Sequence, residues 1–142
     1  MNRPIQGFTL IELLIVMAII GMLAALVGPT IFSKFMGAQR DTALTQIRMI
    51  EQGLDAHRLD TFKYPDTLEG LLKNTVNKPT WNGPYLKLQE VPKDPWGHEY
   101  QYKKPGRDGR DYDLFSFGAD GQEGGENDNA DIVSWESSAK KK

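Results

Sequence analysis

Residues 8–27 read FTLIELLIVMAIIGMLAALV, twenty consecutive positions with one ionisable side chain, Glu12. Wound as an α-helix, with a rise of about 1.5 Å per residue, this run spans about 30 Å, the thickness of a bilayer's hydrocarbon core. It therefore reads as a membrane anchor. A cleaved secretory signal is the rival, but its apolar region is usually shorter and ends at a small-x-small cleavage site. Here the run has membrane length and helical spacing continues past it. Arg3 lies before the run and Lys34 after it, so charge asymmetry sets the orientation only weakly.

The chain has 142 residues, enough for one modest domain plus the anchor. A quarter of the residues are charged and the net charge is −2, yet Arg3, Glu12 and Lys34 are the only charges in the first 36 positions. This near-neutral balance gives no support for nucleic-acid binding, which needs a concentrated basic surface. Lys140, Lys141 and Lys142 read as a solvated terminus. There is no cysteine, which excludes disulfides, thiolate catalysis and cysteine zinc sites. His57 and His98 lack a metal-ligand spacing. No nucleophile with a base and no phosphate loop is recognisable, so the chain reads as a non-enzyme.

Glu12 sits about one turn inside the apolar run, where an acid costs ~2.5–3.5 kcal/mol on insertion scales. Either it lies shallow enough to reach the interface or protonates, or it needs a cation from a partner. Gly7-Phe8-Thr9-Leu10-Ile11-Glu12, behind a short polar leader, resembles the class III signal of the type IV pilin superfamily. The resemblance implies that a prepilin peptidase cuts between Gly7 and Phe8 and N-methylates Phe8. The new amine of one subunit would then neutralise Glu12 of a neighbour and set the axial stagger of a filament.

Further motifs extend the resemblance over almost the whole chain: PKDPWG at 92–97, the segment 112–117 followed by GADG at 118–121, and NADI at 129–132 before Trp135. Together they are similar to the major pseudopilins of the bacterial type II secretion system. The family implies a homopolymeric periplasmic pseudopilus that helps export folded proteins across the outer membrane. Its partners would be minor pseudopilins, the prepilin peptidase and an inner-membrane assembly platform. It also implies a single-pass inner-membrane location with the C-terminal domain in the periplasm. A type IV pilin for adhesion or motility is the alternative; the missing cysteines and the short C-terminal region favour the pseudopilin.

Four segments follow: a leader (1–7), a transmembrane and filament-core helix (8–30), an amphipathic helical half (31–60) and a globular domain (61–142). Gly28-Pro29 interrupts the apolar run and predicts a kink, or local melting on packing. Phe32, Phe35, Leu44, Ile47, Ile50 and Leu54 form a stripe at three- and four-residue spacing, expected to pack on the domain. The helix should end near Leu59, before Tyr64-Pro65. Asp66, with Glu69 as capping-box partner, predicts a short helix to Leu72. Trp81, Tyr85 and Trp96 suggest a satellite core. Segments 99–102, 112–116 and 131–135 read as three strands, with a turn at 105–109. The expected fold class is α+β and pilin-like: a long N-terminal helix packed on a small antiparallel sheet.

Residues 117–131, FGADGQEGGENDNAD, form a long, acidic, glycine-rich loop. Such loops are usually either functional or disordered. A hard cation such as calcium would suit its oxygens, although the register is not that of an EF-hand. Here the family resemblance implies calcium, held by the carbonyl of Phe117 and by Asp120 and Asp131. Ala130 stands where the family often has an acid, and Asp128 is taken as the substitute.

Overall fold

The computed structural model describes residues 7–136, and for Asp128 the backbone alone. Of the expected leader only Gly7 falls within that range; residues 1–6 and the lysine tail lie outside it. The chain divides into two compact units, one ending at Met36 and one beginning at Gly37.

The first helix, α1, runs from Leu10 to Thr61. The helical assignment continues through Gly28 and Pro29. Pro29 lacks an N–H, so the carbonyl four residues earlier loses its usual donor, yet the turn is not broken. In the first unit the apolar side chains are exposed all round: Leu10, Ile15, Ile20, Leu23 and Val27 each show close to half their surface or more. Phe32 and Phe35 belong with them. The expected stripe placed both in the domain core, but they are 63% and 60% exposed and belong to the first unit.

In the second unit the stripe is real but begins at Ala43. Ala43, Ile47, Ile50, Gly53, Leu54, His57 and Thr61 are buried, at helical spacings of three and four. Leu44 only flanks the core. Across from this face lie Leu68, Leu71, Leu86, Tyr100, Leu114 and Ile132. Each large aliphatic side chain fully withdrawn from water contributes about 1.5–3 kcal/mol, so this one face fastens the helix to the domain. The helix stops through local polar chemistry. Thr61 Oγ1 donates to the carbonyls of His57 and Lys63, at 2.8 and 3.0 Å. His57 Nδ1 lies 2.8 Å from the Lys63 carbonyl and must carry the proton there. Phe62 follows in the left-handed region at φ 61°, its N–H donating to the Arg58 carbonyl.

A short 3₁₀ turn at Leu68–Leu71 replaces the expected helix. Its N-cap is Thr67, not Asp66, and it lacks a side-chain cap bond. Asp66 is engaged elsewhere, accepting from Lys104 Nζ at 2.6 Å, a charge-assisted bond that outcompetes capping. That bond also holds the Asp66 carboxyl below its ordinary pKa. The satellite core is only partly as expected. Trp81 packs edge-on against Tyr85 and donates from Nε1 to the Gly70 carbonyl, whereas Trp96 lies against the main core.

Three antiparallel strands, β1 (Gln101–Lys103), β2 (Asp113–Ser116) and β3 (Ile132–Val133), pair in the order β1-β2-β3. Gln101 faces Phe115 on one side of the central strand, and Val133 faces Phe115 on the other. All of β2 is buried, including Asp113 and Ser116. Asp113 is tolerated because Arg110 Nε donates to it at 2.8 Å and the Arg107 N–H at 3.0 Å. Burial pushes its pKa up, but those bonds and the two guanidiniums outweigh burial and leave it lowered. The hairpin turn closes as 3₁₀ at Arg107–Gly109, with Asp108 at φ 55°.

Candidate functional site at the helix start and the acidic loop

Thr9 precedes α1 and forms a reciprocal capping box with Glu12. The Thr9 N–H and hydroxyl both donate to Glu12 Oε2 at 2.9 Å, and the Glu12 N–H points back at Thr9 Oγ1 at 3.3 Å. The Leu13 N–H to the Thr9 carbonyl closes the first turn. Glu12 is therefore not without partners within its own chain: it satisfies an amide the helix start would otherwise leave open. Gly7 and Phe8 lie just outside this box, both exposed, with Phe8 at 87%. A cut between them would leave the box whole. Thr9 is a capping residue that the sequence reading missed, although the T-x-x-E spacing ahead of an apolar run was its signal.

The acidic loop is built around β2 and β3. Gly118, Gly121, Gly124 and Gly125 all take positive φ. At Gly118 a side chain would meet the Ala130 carbonyl at 2.9 Å, and at Gly125 it would meet the Asn129 carbonyl, so the loop's two limbs touch backbone to backbone. Asp131 closes the loop at its base. Its N–H donates to the Gly124 carbonyl at 3.2 Å and its Oδ2 accepts from the Gly124 N–H at 3.0 Å. The other oxygen, Asp131 Oδ1, is buried and has no hydrogen-bond partner among the described residues.

The remaining expected ligands are less converged. Asp120 is exposed and accepts from the Gln122 N–H at 3.1 Å, a local turn bond. Phe117 is half-buried, with its ring edge-on to Phe115. Asp128 sits in a 3₁₀ turn, Asn127–Asn129, and its side chain lies outside the description. Among the described residues no three carboxylate or imidazole side chains come together as a cage. A cation here would start from Asp131 Oδ1 and would have to draw Asp120 and the loop carbonyls toward it.

Basic and polar groups hold the loop from three sides. Arg107 pairs with Glu123 at 3.1 Å. Arg40, on α1, donates from one nitrogen to the carbonyls of Asn127 and Ala130, at 3.1 and 2.8 Å. The His98 ring lies against Gly121. Behind it the buried Asp94 carboxylate accepts from Ser116 Oγ at 2.5 Å and from the Trp96 and His98 N–H groups. Local sequence carried no signal for Arg40 or for the Asp94–Ser116 bond, because each joins segments far apart in the chain.

Comparison with known proteins covers both the helix start and the domain. The family described as type II secretion system, protein G, matches residues 30–135. The prokaryotic N-terminal methylation motif matches residues 2–28. The type II secretion system core protein G of Pseudomonas aeruginosa is 46% identical over 95% of this chain and 98% of that protein. The Vibrio cholerae protein of the same name is 44% identical over 94% and 93%. The crystal structure of the major pseudopilin from the type 2 secretion system of enterohaemorrhagic Escherichia coli superposes with a TM-score of 0.55. It shares 31% identity, covering 70% of this chain and 89% of that one. The long helix with its amino-terminal motif and the three-stranded domain thus place this chain in the protein G family of the type II secretion system, the major pseudopilins.

Proposed function

We propose that this chain is the structural major subunit of a type II secretion pseudopilus. Residues 1–7 are removed by a prepilin peptidase, Phe8 is N-methylated, and residues 8–30 hold the subunit in the inner membrane with its domain in the periplasm. Subunits then leave the bilayer and polymerise with the assembly platform and minor pseudopilins, and the growing filament exports folded proteins. The role is that of a polymer, not an enzyme. One observation carries this reading: residues 10–29 present apolar side chains on every face, with Glu12 at the helix start as their one charge. A helix apolar all round requires lipid or other helices around it.

Glu12 serves that cycle twice. Within the subunit it caps its own helix. Between subunits it meets the methylated amine of a neighbour, which fixes the offset of one helix on the next.

Calcium completes the domain. Asp131 Oδ1, buried and without a donor among the described residues, fits a hard cation, and the glycine turns let the loop's two limbs approach backbone to backbone. The residues that would hold it are Phe117 through its carbonyl, Asp120, Asp128 and Asp131. Bound there, calcium supplies a divalent charge that gathers these oxygens and ties the loop to β3, in a chain that has no disulfide to do so.

The test is mass spectrometry of the amino terminus, made on the wild type and on Gly7→Glu in a bacterium that carries the secretion system. The expected result is a methylated Phe8 terminus and sedimentable filaments for the wild type, and an uncut leader without filaments for the variant. A wild-type chain that keeps residues 1–7 would overturn the proposal.

A further inference from the structure

We infer that Arg40 is a positioning residue for the calcium loop: from α1 it fixes the backbone of the loop's second limb and so sets the affinity of the ion. This rests on the calcium reading above and goes beyond it, because Arg40 is no ligand.

The loop offers two kinds of oxygen. The carbonyls of Asn127 and Ala130 are neutral, and a single Arg40 nitrogen takes both, at 3.1 and 2.8 Å. A carbonyl that already accepts from a guanidinium has one lone pair turned to that cation and is a poor ligand for a second one. Other oxygens, Asp131 Oδ1 first among them, are left for the divalent ion. Residue 130 immediately precedes Asp131, so holding the Ala130 carbonyl fixes the peptide on which Asp131 is mounted. Asp131 then uses Oδ2 and its own N–H to lock onto Gly124, which leaves Oδ1 as the carboxylate oxygen without a hydrogen-bond partner among the described residues. Three anchors follow in order along the limb: Arg40 on 127 and 130, Gly124 on 131, and the pairing of β3 from Ile132.

Without Arg40 that limb would have to be ordered by calcium itself, at the cost of binding free energy. Outer-shell groups of this kind commonly change metal affinity by roughly 10–100-fold. The contribution is also reciprocal, since an ion that orders the limb must strengthen its contact with Arg40 by the same factor.

The experiment is a calorimetric titration of calcium into the processed full-length chain in detergent, with amide exchange of residues 124–131 read in parallel. Arg40→Met keeps the aliphatic stem and removes the donors. It is expected to weaken calcium binding roughly 10–100-fold and to speed exchange of the limb. Arg40→Lys keeps a cationic nitrogen able to donate to two carbonyls and should restore most of the affinity. Wild-type affinity in Arg40→Met overturns the inference and leaves the calcium site standing. A lower melting temperature in Arg40→Met with unchanged affinity also overturns it, since Arg40 would then be a fastener only. A wild-type chain that takes up no calcium sinks the calcium reading and this inference together.

Discussion

Ile19 and Ile50 carry the same side chain in the same helix, yet Ile19 is 55% exposed and Ile50 is fully buried. Residues 10–36 show their apolar surface to the outside on all faces, whereas residues 43–61 show it on one face that the domain covers. Apolarity alone is common to both. What separates them is the distribution of charge: almost none before Gly37, and a polar back to the helix after it. A continuous apolar surface demands a surrounding medium, and a striped one demands a single partner.

The sharpest break in that comparison is Glu12→Ala. It should abolish sedimentable filaments while leaving the melting temperature of the domain unchanged, because the acid belongs to the first unit alone. Normal filaments from this variant would refute the inter-subunit charge pair. Next comes Leu54→Ala, expected to cost about 2–5 kcal/mol in chemical denaturation, against no measurable loss for Ile19→Ala in detergent. Equal losses would mean the two halves are not separate in energy. Third, calcium at a hundred times its Kd should add about 2.7 kcal/mol to domain stability, and Asp131→Ala should remove that gain. Melting curves with and without chelator read this directly.

Asp113 gives a pH test. Its carboxyl is lowered in the fold, so the stability it contributes is present above the ordinary carboxylate pKa and is lost as pH falls through the folded value. Asp113→Asn should therefore flatten the acid side of the stability profile, and an unchanged acid midpoint would argue against the arginine pairing. The smallest effect is expected at Phe62, which is 83% exposed and at φ 61°. Relief of left-handed strain against the added freedom of the unfolded chain gives Phe62→Gly a gain of at most about 1 kcal/mol.

The long helix and the three strand segments were legible because they rest on periodicity, which is local. The twenty-residue apolar run announced α1, and the spacing of Ile47, Ile50 and Leu54 announced the covered face. The same stripe misplaced Phe32 and Phe35, because periodicity cannot say where the covering domain stops. Ala43 was overlooked in favour of the larger Leu44, although the helix face, not the size of the side chain, decides burial. Asp66 looked like a cap until Lys104, 38 residues away, took its carboxylate. Arg40 was invisible for the same reason, with its two acceptors 87 and 90 residues downstream. Ligand assignments in the loop came from family resemblance, and what the fold adds is the unpartnered oxygen of Asp131.

The box between Thr9 and Glu12 has a consequence for how a subunit waits. Its acid is already housed at home, so a lone chain in the bilayer is a tolerable resting form and not a stranded one. Under the proposed cycle, joining the polymer would add a neighbour's ammonium to an acid that already has neutral partners, and that stronger, charge-assisted contact would draw the subunit out of its resting form.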